Sequence, residues 1–111
     1  MHVHENPVTG GECSSSGQVW NPTEVDHGSW DASVRKAGSL QSLVSKSEYE
    51  ETTLEYMDPV TTLFGDNSIL GRSIVIHAGA DDLGLGDDEG SKANGNSGDP
   101  VACCTIKRVG S

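Results

Sequence analysis

Residues 68–77, with the sequence SILGRSIVIH, form the stretch that decides the fold class. The stretch is aliphatic and β-branched and lies between glycines, which is typical of a strand. Working outward from it, four other segments also favour short strands. Residues 39–47 and 51–57 are predicted as two strands joined by a turn, residues 1–5 as a first strand and residues 101–109 as a last one.

Two long polar segments separate these predicted strands. Residues 6–37 carry turn signals throughout, so we predict one long loop there. Residues 78–100 are rich in glycine and acidic residues, and we predict a second loop. Loops of this length are rare in compact domains unless they serve a function or are disordered. Short strands with two such loops predict one all-β domain, a sandwich or a barrel.

The composition of the chain excludes two classes of partner. The chain has 111 residues, with 7 basic and 17 acidic side chains and a net charge of -10. Binding to nucleic acid needs clustered Lys and Arg, and an anionic membrane surface repels an acidic protein. The sequence has no run of apolar residues long enough to span a bilayer. We therefore expect neither nucleic acid nor membrane as a partner.

The three cysteines favour one long-range disulfide and one free thiol. Cys13, Cys103 and Cys104 fit no zinc-finger or redox-motif spacing. Adjacent residues of a strand point to opposite faces, so at most one of Cys103 and Cys104 can meet Cys13. The residues alone leave open which of the two it is.

The histidines alone make a weak case for a metal. His2 and His4 share one face of the predicted first strand, and two imidazoles about 7 Å apart along a strand can bind one ion. The same spacing also occurs on ordinary surfaces. His77 ends the strongest strand, where a histidine is more often a polar residue at a sheet rim, and His27 is more often a turn residue.

The order and spacing of several motifs along nearly the whole chain are more specific. Together these motifs resemble those of the copper/zinc superoxide dismutase family, which includes a related domain of its copper chaperone. The matching pieces are residues 2–5 (HVHE), 11–13 (GEC), 17–22 (GQVWNP), 27–28 (HG), 71–77 (GRSIVIH), 80–84 (ADDLG), 95–98 (GNSG) and 101–103 (VAC).

The resemblance implies a Greek-key β-barrel or sandwich with copper and zinc beside it, enclosed by two long loops. Such a barrel has eight strands, and the match begins at the His2-Val3-His4 strand. We therefore expect residues 1–111 to form a partial copper-binding domain that lacks about three N-terminal strands. A fragment or mis-started gene model is the first explanation, and a truncated relative that needs a partner is the second. Cytoplasm is the default location, with an extracellular one as the alternative.

The resemblance also assigns roles to individual side chains. His2, His4 and His77 correspond to copper ligands, and His27 corresponds to one zinc ligand. Asp81 corresponds to the carboxylate that links a copper histidine to a zinc histidine.

The resemblance resolves the disulfide as well. Cys13 and Cys103 correspond to the bridge that ties the first long loop to the last strand. Cys104 is then the spare thiol.

Three positions depart from the family's zinc site. Val19 stands where the histidine that bridges copper and zinc is expected, and valine cannot coordinate a metal. Lys36 replaces a zinc histidine and Ser39 replaces the zinc aspartate. A structural zinc wants four ligands, and of these only His27 remains. We therefore expect copper as the cofactor and no zinc.

The features that guide the substrate also depart from the family pattern. The family's guiding arginine lies just before Val-Ala-Cys, where this chain has Pro100. The second loop carries Asp87, Asp88 and Glu89 against one cation, Lys92, so its field should repel superoxide. We assign no catalytic residue and expect the family's oxidoreductase activity, dismutation of superoxide to oxygen and peroxide, to be weak or lost.

Two other functions compete with a weak dismutase. One is a non-catalytic binding module that pairs with a dismutase or its copper chaperone. The other is a copper carrier, because three imidazoles suit Cu(I) in trigonal geometry. Superoxide is the expected small-molecule partner of an active protein, and a homodimer is a further alternative. If the histidines are relics, the chain binds no copper.

Overall fold

The computed structural model describes residues 1–109, and its regular structure is mainly strand, as an all-β fold requires. None of its helices is long and apolar enough to cross a bilayer. The elements are, in chain order, strand β1 (His2–His4), a 3-10 helix (Cys13–Ser16), strand β2 (Ser73–His77), helix α1 (Glu89–Asn94) and strand β3 (Pro100–Thr105).

Strand β2 lies in the middle of a three-stranded sheet of order β1-β2-β3, with an antiparallel partner on each side. The register places His2 opposite Val75. Between Ile76 and His77 the register shifts, so that His77 pairs with Pro100. Irregularities of this kind re-aim a side chain at the end of a strand. The shift lies on the side of β2 that faces β3, while β1 pairs with β2 in regular register.

Two segments border β1 and position its histidines: one around Val19, in the middle of the first long loop, and one at Gly38 and Ser39, directly after that loop. The Val3 N–H donates to the Gly38 carbonyl at 2.8 Å. Gly38 leaves no room for a side chain, because a Cβ there would overlap the Val3 carbonyl oxygen. Val19 and Ser39 form isolated antiparallel bridges with the two histidines of β1. Positions 19 and 39 therefore lie directly beside the histidines, although the loop has little regular structure.

Three of the predicted strands are confirmed, each shorter than predicted, and β3 begins one residue earlier, at Pro100. The strand predicted at 1–5 is β1, that at 68–77 is β2 and that at 101–109 is β3. Val3 and Val75 are fully buried, so the best-packed apolar side chains come from β1 and β2.

The predicted strands at 39–47 and 51–57 are wrong. Ser39 bridges to the sheet, but the rest of both segments pairs with no strand in residues 1–109. Val44 is 79% exposed and Met57 is 90% exposed. Strand propensity reflects packing against neighbouring strands, so a strand-like composition without such a neighbour does not produce a strand.

Both segments predicted as loops contain a short helix. Residues 78–100 include α1, whose start is capped by Asp88 accepting from the Ser91 N–H at 2.9 Å. The helix is followed by Gly95, which has a left-handed backbone with φ 73°. An Asp cap and a terminal glycine are sequence signals that could have revealed α1. Residues 6–37 include the 3-10 helix Cys13–Ser16.

A disulfide joins this 3-10 helix to the sheet. It links Cys13 to Cys103 of β3, as the resemblance implied. Cys104 is a free and exposed cysteine.

Candidate metal centre

All four histidines of the chain converge at one end of the sheet. The ring centroid of His2 lies 5.1 Å from that of His77 and 5.1 Å from that of His27. The rings of His4 and His77 are 5.3 Å apart. His2, His4 and His27 are buried, and His77 is half-buried. Strands β1 and β2 therefore position three of the rings, and the first long loop brings the fourth.

Three of these residues offer ring nitrogens to one common point. His2, His4 and His77 each have a nitrogen within 4.8 Å of the other two. The Nε2 atoms of His4 and His77 are 3.2 Å apart. Nitrogens bound to one ion lie about 2 Å from it, so this spacing is suited to a shared metal.

Backbone carbonyls fix which nitrogen of His4 and of His77 faces that point. His4 Nδ1–H donates to the Gly17 carbonyl at 2.9 Å, and His77 Nδ1–H donates to the Gly98 carbonyl at 3.0 Å. A neutral imidazole has one N–H, so both Nε2 atoms carry lone pairs. Two lone pairs 3.2 Å apart repel each other unless a proton or a cation lies between them. The pair therefore has the arrangement of two metal ligands.

His2 contributes the third nitrogen. Its Nε2–H donates to Asp81 Oδ2 at 2.9 Å, which leaves the lone pair on Nδ1. This Nδ1 is buried and has no hydrogen-bond partner within residues 1–109. Buried polar atoms without a partner are rare and call for an explanation such as an ion. Burial lowers the pKa of His2 to about 4, so the ring is neutral near pH 7, as metal binding requires. The donor set fits copper, which imidazole nitrogens suit.

Asp81 connects this set to His27. Its Oδ1 accepts from His27 Nε2–H at 2.7 Å, while Oδ2 accepts from His2. Burial alone would raise the pKa of Asp81, but the hydrogen bonds from the two imidazoles outweigh it and hold the pKa well below its usual range. Asp81, His2 and His27 also lie close enough to hold an ion. Their facing atoms, however, already satisfy one another as donor and acceptor.

The positions expected to bind zinc have a different chemistry. Val19 is buried and offers no donor atom. The Ser39 hydroxyl lies 3.0 Å from His27 Nδ1 and occupies the nitrogen that would face a zinc ion. Lys36 Nζ donates to the Ala93 carbonyl at 2.8 Å and brings a cation to the site. These residues do not fit the family's zinc site.

A pocket of about 190 Å³ opens beside His77 and Asp81. Among the residues that the structure describes, no Lys or Arg side chain lines this pocket. Pro100 lies opposite His77 in the register of β2 and β3, at the position of the missing arginine. The acidic side chains of residues 87–89 are exposed. A small ligand can therefore approach His77, but the side chains of the pocket provide no Lys or Arg cation to attract an anion.

The sequence-predicted site residues come together, and the structure adds partners that sequence reasoning missed. The carbonyls of Gly17 and Gly98 fix two histidine tautomers, and a backbone carbonyl has no sequence signature because every residue has one. The Ser39 hydroxyl was missed as a partner of His27. Its place at the expected zinc aspartate could have suggested a polar contact there.

Comparison with known proteins assigns the chain to a family. The family model described as copper/zinc superoxide dismutase (SODC) matches residues 1–106. A protein of Autographa californica nuclear polyhedrosis virus is 44% identical over 106 residues, which cover 96% of this chain and 70% of that protein. The copper/zinc superoxide dismutase of Schizosaccharomyces pombe is 44% identical, and the match covers 96% of this chain and 68% of that protein.

A solved structure, that of the clock protein EA4, also resembles this one. It has a TM-score of 0.86 and 36% sequence identity, and the match covers 94% of this chain and 66% of that chain. The family match therefore extends over most of the chain and is accompanied by the same fold. The chain belongs to the copper/zinc superoxide dismutase family.

Proposed function

We propose that this chain is a copper-binding domain in which His2, His4 and His77 hold the metal, and that it dismutes superoxide much more slowly than its relatives. The buried Nδ1 of His2 carries the proposal, because it has no partner within residues 1–109. Bound copper supplies one-electron chemistry: one superoxide is oxidised to oxygen, and a second takes up an electron and two protons to give hydrogen peroxide.

The chain's own residues support slow turnover in two ways. Val19 lies beside His4, where a bridging imidazole is expected, and its hydrocarbon side chain cannot hold or deliver a proton. Pro100 lies opposite His77 and has no charge with which to attract superoxide. Proton delivery and anion capture therefore both lack the group that the family pattern places there.

A copper carrier is the second candidate, and the donor set favours it. The three ligands are neutral imidazoles, which suit Cu(I) in trigonal geometry, whereas Cu(II) prefers tetragonal coordination and needs a further donor. A carrier would take up Cu(I) and show no turnover of superoxide.

Competition for Cu(I) against a chromogenic chelator tests the site that both candidates share. The purified protein should bind one Cu(I), and His77→Ala should lower the affinity by more than about a hundredfold, because removal of a ligand exceeds the 10–100-fold cost of losing an outer partner. Phe64→Ala, which truncates an exposed ring, is the matched control and should leave the affinity unchanged. Equal affinity of His77→Ala and the parent protein would contradict the proposed site.

A further inference from the structure

We propose that Ser39 is a positioning residue of the copper site: its hydroxyl acts through His27 and Asp81 to aim the Nδ1 lone pair of His2 at the metal, without a zinc ion. The inference rests on the proposed copper function. It assigns a role to a residue that stands where the family's zinc aspartate is expected.

Four side chains form a continuous series of hydrogen bonds, which we call the relay: Ser39, His27, Asp81 and His2. The Ser39 hydroxyl lies 3.0 Å from His27 Nδ1, and His27 Nε2 lies 2.7 Å from Asp81 Oδ1. The other oxygen of Asp81 lies 2.9 Å from His2 Nε2. The far end of this relay is His2 Nδ1, the buried nitrogen that has no partner within residues 1–109.

When both imidazoles are neutral, only one assignment of their hydrogens gives each of these hydrogen bonds one donor and one acceptor. An ionised Asp81 only accepts, so both Nε2 atoms that face it carry hydrogen. His27 Nδ1 then holds a lone pair and needs a donor, which the Ser39 hydroxyl supplies. Asp81 also accepts from His2 Nε2–H, which leaves the lone pair of His2 on Nδ1. Ser39 therefore acts on His2 by holding His27, and through His27 the carboxylate of Asp81, in place. A metal ion bound to His27 Nδ1 would fix the same tautomer, because it would engage the same lone pair. The hydrogen bond from the Ser39 hydroxyl therefore replaces the metal as the partner of this nitrogen.

The surroundings hold Ser39 in place. Its backbone N–H donates to the Lys36 carbonyl at 3.0 Å, and the residue forms a bridge with His2. Ser39 is 1% exposed, so its hydroxyl is a buried hydrogen-bond partner and does not reach a substrate. The Lys36 side chain is also committed to a hydrogen bond, with the Ala93 carbonyl of α1 at 2.8 Å. Lys36 therefore stabilises the contact between the two long loops, whereas the Ser39 hydroxyl bonds to His27 of the first loop.

The competing explanation is that Ser39 only fills space. The two explanations differ in what they predict for Ser39→Ala, which removes the donor and keeps most of the volume. Ser39→Thr retains the hydroxyl. Ser91→Ala is the matched control, because Ser91 is also fully buried and its hydroxyl is hydrogen-bonded to Asp82 and Gly86 instead of to His27 or Asp81.

Nitrogen NMR of the imidazole rings in the metal-free protein tests the relay directly. In the parent protein, His27 should show hydrogen on Nε2 and a hydrogen-bonded lone pair on Nδ1. Ser39→Ala should shift the Nδ1 signal of His27, whereas Ser39→Thr and Ser91→Ala should leave it in place. An unchanged His27 signal in a folded Ser39→Ala protein would overturn the inference.

Cu(I) affinity, measured by chelator competition, tests the effect on the metal. Ser39→Ala should weaken binding about 10–100-fold, the usual cost of losing an outer-shell partner, and Ser39→Thr should restore it. If the parent binds Cu(I) and Ser39→Ala binds it equally well, the positioning role is wrong and the proposed function stands. If the parent binds no Cu(I), the proposed function fails, and with it the role of Ser39 in copper binding.

Discussion

One histidine cluster contains two halves that share Asp81 and differ in chemistry. The copper half consists of His2, His4 and His77, and the zinc half consists of Val19, His27, Lys36 and Ser39. The copper half has three imidazoles whose nitrogens lie within 4.8 Å of one another. The zinc half has one imidazole, and its other side chains are a hydrocarbon, a hydroxyl and an ammonium group.

The difference shows how much of a metal site can change while its framework stays. In the copper half, the carbonyls of Gly17 and Gly98 orient two rings, and substitution of a side chain does not remove a carbonyl. In the zinc half, the expected ligands are themselves side chains, and a substitution removes a ligand directly. The Ser39 hydroxyl nevertheless bonds to His27, and Lys36 bonds to the Ala93 carbonyl in the second loop. Hydrogen bonds are therefore present at two positions where the family pattern expects zinc ligands.

The largest expected effect is on the dismutation rate. Steering of an anion is worth 10–10³-fold and acid-base help about 10²–10⁴-fold, and this chain lacks the expected group for each. Pulse radiolysis of the copper-loaded protein should give a rate at least ~10³ below that of the Schizosaccharomyces pombe relative. Val19→His combined with Pro100→Arg should raise the rate more than about tenfold.

A dismutation rate near the diffusion limit that disappears on His77→Ala would contradict this prediction. The copper half would then be a complete catalyst without the groups missing around it, and the assignment of slow turnover would be wrong.

The second prediction concerns the contribution of the Cys13–Cys103 disulfide to the stability of the fold. The 90-residue separation of Cys13 and Cys103 implies about 4 kcal/mol of stabilisation from the lost entropy of the unfolded chain. Cys103→Ser should lower the free energy of unfolding by about that amount in chemical denaturation. Cys104→Ser is the control, because Cys104 is exposed and free, and should change stability by less than about 0.5 kcal/mol. Peptide mapping that finds a Cys13–Cys104 bridge would place β3 one residue out of register.

Removal of the ion pair between Arg35 and Asp58, next to the zinc half, should lower the free energy of unfolding by a smaller amount. Arg35 Nη1 donates to Asp58 Oδ1 at 2.7 Å, and Arg35 Nη2 donates to the Ala37 carbonyl at 2.9 Å, so this pair anchors the segment that carries Ser39. Both charged side chains are largely buried, with 4% of Arg35 and 9% of Asp58 exposed. Asp58→Asn should cost about 3 kcal/mol at pH 7, the lower end of the 3–5 kcal/mol for breaking a buried pair, because the amide keeps the shape and one acceptor oxygen.

The pH dependence of that cost follows from the pKa of Asp58. Burial alone would raise this pKa, but the hydrogen bonds from Arg35 and Thr61 hold the pKa below the ordinary value of an aspartate, 3.8. The stabilisation is therefore fully present above about pH 3.8 and is lost as the pH falls through the lower folded pKa. The stability difference between the parent and Asp58→Asn should shrink over that interval. A difference that stays constant below pH 3.8 would show that Asp58 does not act through its charge.

The sequence predicted the parts of the molecule whose chemistry resides in side-chain identity. The three confirmed strands, the four histidines, Asp81 and the Cys13–Cys103 pair all follow from residue type, spacing or resemblance. The interactions that orient them did not follow, because the Gly17 and Gly98 carbonyls depend on tertiary placement and not on residue type. The segment at 39–47 has strand-like composition but lies at a place where only Ser39 meets a partner.

Metal content after exposure to equal copper and zinc tests the central claim, copper binding without a zinc site, most directly. Elemental analysis of the purified protein should give about one copper and less than about 0.2 zinc per chain, and His77→Ala should lose the copper. Three histidines can also hold zinc, so the His27→Ala variant is needed to identify the site that any zinc occupies. Near-stoichiometric zinc that is lost on His27→Ala and kept on His77→Ala would contradict the account.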